Sequence, residues 1–201
     1  SQMLTNGWLG SKSGQGFYKK TKDENGKKQI LQLDLSTLEY IKSNKVNFPT
    51  IGIAKQEEEL TKRTQILFSG KDKAGEFYQQ VFCGIFSYVS HRIPEISDEI
   101  YKIDDALKAG FGWELGPFET WDAIGLEKGL AAMEKLGKKP AKWINDIIAN
   151  GITSFYKTED GIKKFYNLNT KSYDRIPGTE NIISLASLKE SNTIWSNDDV
   201  H

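Results

Sequence analysis

A single cysteine, Cys83, and two histidines, His91 and His201, are all that this 201-residue chain offers as soft metal ligands and imidazole bases. One thiol excludes an intrachain disulfide and fits a reducing compartment, so a cytoplasmic location is expected. The same scarcity argues against a zinc site. Cys83 and His91 lie eight residues apart on what reads as one helix. At about 1.5 Å of rise per residue they are too distant to pair as nucleophile and base. Apolar runs are short of the ~20 residues that a membrane-spanning helix needs, and the N-terminus lacks a charged-then-apolar leader. An excess of one charge is missing too: 27 Lys and Arg balance 27 Asp and Glu. That balance excludes a broad basic surface for nucleic acid or anionic membrane. Hydrophobic residues make up only 38%, but ten Phe, eight Tyr and five Trp compensate through the large area each aromatic buries.

What the chain does have is concentrated in Ala109-Gly110-Phe111-Gly112-Trp113-Glu114-Leu115-Gly116-Pro117-Phe118-Glu119-Thr120-Trp121-Asp122-Ala123-Ile124-Gly125-Leu126. Gly116-Pro117 reads as a loop closing onto a helix, with Pro117 at the first helical position, where its missing N–H costs nothing. Phe118, Trp121 and Asp122 then share one helical face.

An internal repeat organises the rest. Asn6-Gly7 leads to Phe17-Tyr18-Lys19, a turn at Glu24-Asn25-Gly26, then Asp34-Leu35-Ser36-Thr37 and Tyr40. Asn150-Gly151 leads in the same order to Phe155-Tyr156-Lys157, a turn at Asp160-Gly161, then Asn167-Leu168-Asn169-Thr170 and Tyr173. Both stretches read as β-hairpins. The second follows a long helical region and the first does not, so residues 1–48 read as the tail of a first helical repeat. Residues 49–180 read as a complete second repeat. Residues 181–201, polar and ending Ser196-Asn197-Asp198-Asp199, read as a short helix and a linker to a further domain. The opening Ser1-Gln2-Met3 reads as a cut rather than a native start.

Helical spacing predicts a polar helix from Ile51 to Phe68, stopped by Gly70. It predicts a second from Ala74 to Arg92 with Phe77, Val81, Ile85, Tyr88 and Val89 as the buried face. Ser97 is the expected N-cap of a third, with Ile100, Ile103 and Leu107 inward. Two more follow, near Glu127–Leu136 and Ala141–Ala149, the latter opened by Pro140. The sum is mainly α: a small antiparallel helical bundle with β-hairpins appended.

Candidate chemistry is thin. Gly10-Ser11-Lys12-Ser13-Gly14-Gln15-Gly16 approximates a nucleotide loop, yet it follows no apolar strand and leads into a hairpin, so a tight turn is the better reading. His91 falls at a helix end, where it compensates the dipole. Asp104, Asp105, Glu114, Glu119 and Asp122 cluster around the signature turn. They could supply a general base or a ligand anchor, but first-turn acids such as Glu119 and Asp122 more often cap helices and form ion pairs. Trp113, Phe118 and Trp121 either line an apolar groove or pack helices together, and the second use is the commoner.

Two motifs carry a resemblance over almost the whole chain. They are Gly7-Trp8-Leu9-Gly10…Gly14-Gln15-Gly16-Phe17-Tyr18 and Ile103-Asp104-Asp105-Ala106…Gly110-Phe111-Gly112-Trp113…Gly116-Pro117-Phe118-Glu119…Asp122…Gly125-Leu126. The chain resembles the C-terminal helical region of 3-hydroxyacyl-CoA dehydrogenases, in the version found in bacterial fatty-acid β-oxidation proteins that fuse the dehydrogenase to an enoyl-CoA hydratase. The resemblance implies a bundle of the 6-phosphogluconate-dehydrogenase C-terminal-like type. It implies an NAD-dependent oxidation of 3-hydroxyacyl-CoA to 3-ketoacyl-CoA in the parent enzyme, with NAD bound by an upstream nucleotide domain rather than by these residues. Implied partners are the acyl-CoA substrate, that upstream domain, a downstream enoyl-CoA hydratase domain and a homodimer mate. The family's hydride transfer uses a His–Glu pair of the nucleotide domain and an Asn on the opening helix of the first repeat. The opening helix here, Ala74 to Arg92, carries no Asn, so no catalytic, cofactor or metal ligand is assigned. Trp113, Gly116, Pro117, Phe118, Glu119, Trp121 and Asp122 are the candidates for the substrate side or for domain packing. A non-catalytic interaction module is the alternative.

Overall fold

A computed structural model describes residues 2–43, 46–159 and 161–179; residues 181–201, expected to form a helix and linker, lie outside them. The chain divides into two compact units, one ending at Asn47 and the other beginning at Phe48.

The first unit opens with the short helix α1 (Gln2–Thr5) and a 3-10 turn at Ser11–Ser13, followed by strands β1 (Tyr18–Lys22), β2 (Lys28–Leu33) and β3 (Tyr40–Lys42). These form an antiparallel sheet in the order β1-β2-β3, with Tyr18 opposite Gln32 and Leu33 opposite Tyr40. Gly10 bridges Gln15 across the glycine-rich turn, which feeds β1 rather than a helix. This is not the strand-to-helix geometry that cradles a dinucleotide, so these residues do not fit NAD.

The second unit carries α2 (Pro49–Ala54), α3 (Leu60–Ser69), α4 (Lys73–His91), α5 (Ile100–Phe111), α6 (Pro117–Ile124), α7 (Leu126–Lys135) and α8 (Lys142–Ala149). Strands β4 (Tyr156–Glu159), β5 (Ile162–Asn167) and β6 (Ser172–Arg175) then form a second antiparallel sheet in the order β4-β5-β6. The architecture is therefore mainly α, but not all-α. Each expected hairpin has gained a third strand.

Two helical expectations need correction. The helix expected over Ile51–Phe68 is two helices, broken at Lys55–Glu59. The Arg63 guanidinium donates to the backbone carbonyls of Glu57 and Glu58 and so holds the three-glutamate run as a connection. The buried face of α4 is also different. Phe77 and Tyr88 are each 61% exposed, whereas Cys83, Phe86, Val89 and Ser90 are buried. Helix α4 bears two apolar stripes about 100° apart, and α6 and α7 pack on the one through Cys83 and Phe86.

The core of the second unit is an aromatic column. Phe82 stacks between Phe68 and Phe86, and Phe86 stacks on Trp121 with ring centroids 4.7 Å apart. Phe155, at the entry to β4, meets Phe118, Trp121 and Trp143 edge-on at 5.0–6.0 Å. The second sheet is thereby pinned to the helices.

The two sheets share one hydrogen-bonded frame. Leu33 N–H donates to Phe17 O as Tyr166 N–H does to Phe155 O. The Tyr40 hydroxyl donates to Gly16 O as the Tyr173 hydroxyl does to Ser154 O, both at 2.6 Å. Asp34 accepts from the N–H groups of Ser36 and Thr37, and Asn167 from those of Asn169 and Thr170. Lys19 lies over the Tyr40 ring, Lys157 over that of Tyr173. Leu38 and Lys171 both take the left-handed backbone conformation in the turn before the third strand.

Candidate functional site

The signature segment builds a junction of three elements, and it does so with carboxylates. Helix α6 begins at Gly116-Pro117, so its N-cap has no side chain to satisfy the first-turn N–H groups. Asp104, buried on α5, supplies the missing acceptor: its carboxylate takes the N–H groups of Phe118 (2.9 Å) and Glu119 (3.1 Å). It can do so only because residue 116 is glycine. A Cβ there would sit 2.3 Å from Asp104 Cβ and 2.5 Å from its Cα. Glu119 completes the cap by accepting the Gly116 N–H at 2.8 Å.

Asp122, one turn further along α6, reaches the second sheet. It accepts the backbone N–H groups of Phe155 (2.8 Å) and Tyr156 (2.7 Å). The Tyr156 hydroxyl returns to Asp104 at 2.8 Å, so α5, α6 and β4 form a closed circuit. Lys108 of α5 and Lys163 of β5 both pair with Glu119, the former at 3.2 Å. Sequence reasoning missed Tyr156, Lys108 and Lys163. The one available signal was the repeated Phe-Tyr-Lys at 17–19 and 155–157.

Burial pushes the Asp104 carboxyl up to about 7 against the hydrogen bonds it receives, and does the same to Asp122. Burial also raises the Tyr156 hydroxyl. For Glu119 burial is again the largest influence, but Lys163, the Gly116 N–H and Lys108 together outweigh it and hold the carboxyl below its ordinary value. The sign of the stability effect follows. Unfolded Asp titrates near 4. Between about 4 and 7 the folded state therefore keeps protons on Asp104 and Asp122 that the unfolded chain releases, and stability falls as pH rises through that window. The melting temperature is expected to drop by roughly 5–10 °C between pH 5 and pH 8. Asp104→Asn should flatten that slope. A melting temperature that rises over the same interval would contradict the assignment.

Of the remaining candidates, Pro117, Phe118 and Trp121 are buried, and Trp121 donates its indole N–H to Leu126 O at 3.1 Å. Asp105 pairs with Lys108 at 3.0 Å, and Glu114 is exposed. Trp113 stands apart, 40% exposed, and lines a groove of about 910 Å³ between α4 and α5. Ile85, Tyr88, Val89, Ile103 and Leu107 line that groove with it. Cys83 is buried, and burial raises its thiol to about 11, the wrong direction for a nucleophile. His91 is the last residue of α4, its Nδ1 2.8 Å from Ser87 O. Among the described residues no cluster of three His, Cys, Asp or Glu is arranged to hold a metal ion. No helix among them is long and apolar enough to cross a membrane.

The α5 and α6 side of the junction, from Asp104 to Asp122, falls within a stretch, 77–154, that matches the model of the 3-hydroxyacyl-CoA dehydrogenase C-terminal domain; Phe155, Tyr156 and Lys163 follow it. The chain carries a C-terminal domain of the 3-hydroxyacyl-CoA dehydrogenase family. A probable 3-hydroxyacyl-CoA dehydrogenase of Bacillus subtilis is 38% identical over 191 residues, which are 95% of this chain and 23% of that relative. Putative fatty acid oxidation complex trifunctional enzymes of Rickettsia prowazekii and Rickettsia felis are 27% and 28% identical over 118 residues, 59% of this chain and 15% of theirs. The chain thus spans less than a quarter of the length of these curated relatives. The part of the dehydrogenase signature that is richest in carboxylates is the part spent on joining α5, α6 and β4.

Proposed function

We propose that this chain is a supporting domain of an NAD-dependent 3-hydroxyacyl-CoA dehydrogenase that oxidises 3-hydroxyacyl-CoA to 3-ketoacyl-CoA in fatty-acid β-oxidation. The observation that carries the proposal is the 191-residue relationship to a probable dehydrogenase. Its bundle is of the 6-phosphogluconate-dehydrogenase C-terminal-like type. Residues 1–48 are the tail of a first helical repeat, and residues 49–180 a second one that shapes the acyl side of the parent enzyme. Residues 181–201 lead to a hydratase domain. NAD belongs to a nucleotide domain of the parent, and the junction carboxylates Asp104 and Asp122 are engaged by backbone N–H groups.

Trp113 is the candidate best placed to meet substrate, because Phe118 and Trp121 are enclosed in the core. The test has two arms. The 201-residue chain should not oxidise NADH in the presence of acetoacetyl-CoA, whereas the intact gene product should. In the intact protein Trp113→Ala should raise KM for a long-chain substrate several-fold with little change in kcat, the pattern of lost uniform binding. Turnover by the isolated chain, or an inactive intact protein, would refute the reading. If Trp113→Ala changed only assembly, the interaction-module alternative would hold instead.

A further inference from the structure

The two sheets are built alike, but only one of them is covered. In the second unit Phe155 is fully buried among Phe118, Trp121 and Trp143. In the first unit its counterpart Phe17 is 59% exposed. Tyr156 reaches Asp104 with its hydroxyl, whereas its counterpart Tyr18 is 66% exposed. Asp122 accepts the N–H groups of Phe155 and Tyr156; among the described residues the Phe17 N–H has no acceptor. Ile30, which faces outward from β2, is 56% exposed as well. Two adjacent aromatics at the start of the edge strand β1, with an apolar neighbour on the central strand β2, form an unusual free surface for a sheet that closes its own hydrogen-bonded frame.

We propose that the Phe17–Tyr18 edge of the first sheet is the seat of a second helical body built like α5–α6. That partner is defined by its chemistry. It presents a carboxylate from the first turns of a helix, placed as Asp122 is, to accept the N–H groups of Phe17 and Tyr18. It also presents an aromatic pocket, like that of Phe118 and Trp121, for the Phe17 ring. The α5–α6 body of this chain is already filled by β4, so a second copy of the chain does not offer a vacant one. The inference rests on the tandem-repeat part of the functional reading and specifies the contact through which the first repeat would close.

Hydrogen exchange read by mass spectrometry over the peptides containing residues 16–19 and 154–157 tests it. The 201-residue chain is compared with the product of the uninterrupted natural reading frame that contains it. In the 201-residue chain the amides of Phe17 and Tyr18 should exchange fast and those of Phe155 and Tyr156 slowly. In the longer product the first pair should slow by on the order of a hundredfold, the signature of an amide that joins a cooperative unit. Phe17→Ser in that product should return Tyr18 to fast exchange and leave residues 155 and 156 protected. Equal exchange of Phe17 and Tyr18 in both proteins would overturn the proposal, as would protection that survives Phe17→Ser. Reduction of acetoacetyl-CoA by the same preparation reports separately on the dehydrogenase reading: activity together with fast exchange at Phe17 would sink the docking alone.

Discussion

Replacing Gly116 with alanine should destabilise the second unit by about 3 kcal/mol or more, a large part of the 5–15 kcal/mol that holds a typical domain. The backbone itself would not object. Gly116 has φ −73° and ψ 172°, which any residue adopts, and an alanine at such a position ordinarily gains a few tenths of a kcal/mol by restricting the unfolded chain. Sterics decide the other way. The new methyl would meet Cα, Cβ and Cγ of Asp104 at 2.3–2.5 Å, and Asp104 lies inside a helix where it cannot retreat alone. Helices α5 and α6 would have to separate, and the bonds from Phe118 and Glu119 to Asp104 would stretch or break. Thermal unfolding followed by near-ultraviolet circular dichroism gives the answer. Gly110→Ala is the control, on the helix that carries Asp104 and with nothing within 4 Å, and should be neutral or stabilising by up to about 1 kcal/mol. A Gly116→Ala protein that melts with the wild type would mean that α5 and α6 do not approach this closely.

Trp121→Ala should cost about 3–5 kcal/mol in urea unfolding, the range for deleting a large buried aromatic. Trp121 is fully buried, stacks on Phe86, bounds the Phe155 pocket and satisfies the Leu126 carbonyl. Gly129 fits against its indole so closely that a Cβ there would fall 2.3 Å from Nε1, so the surrounding helices are shaped to this one side chain. Collapse around the cavity is correspondingly limited. Trp113→Ala, at a half-exposed position, should cost under about 1 kcal/mol. Similar losses for the two tryptophans would remove Trp121 from the centre of the core.

How legible this was in the sequence varied with the range of the interaction. Local signals held: Pro117 opens α6, Gly70 follows the end of α3, and α7 and α8 lie within a residue of their expected bounds. Ser97 contributes a cap, but its hydroxyl takes the Glu99 N–H just ahead of α5 rather than opening the helix itself. Choices that depend on a distant partner were not readable. Both stripes of α4 are apolar, and the packing of α3, α6 and α7 selects the one through Phe86. The carboxylates around the signature turn were visible as a cluster. That Asp104 caps a helix it does not belong to, and that Asp122 holds a strand 33 residues away, depends on the approach of α5, α6 and β4. The third strands were implied only by Tyr40 and Tyr173, whose hydroxyls fold each chain back onto the residue before its Phe-Tyr pair.

The duplicated sheet frame also sets a problem of identity during folding. Backbone hydrogen bonds cannot distinguish β1–β3 from β4–β6, so the α5–α6 body must choose its own sheet by side chains. The choice falls largely on the middle strand. Where the second sheet offers Phe165 and Tyr166, both buried, the first offers Gln32 and Leu33. Lys163, which neutralises Glu119, is answered by Ile30. A wrongly docked first sheet would leave Glu119 short of a cation and the aromatic pocket underfilled. The divergence of the two sheets at these positions is thus what keeps the first from taking the place of the second against α5 and α6.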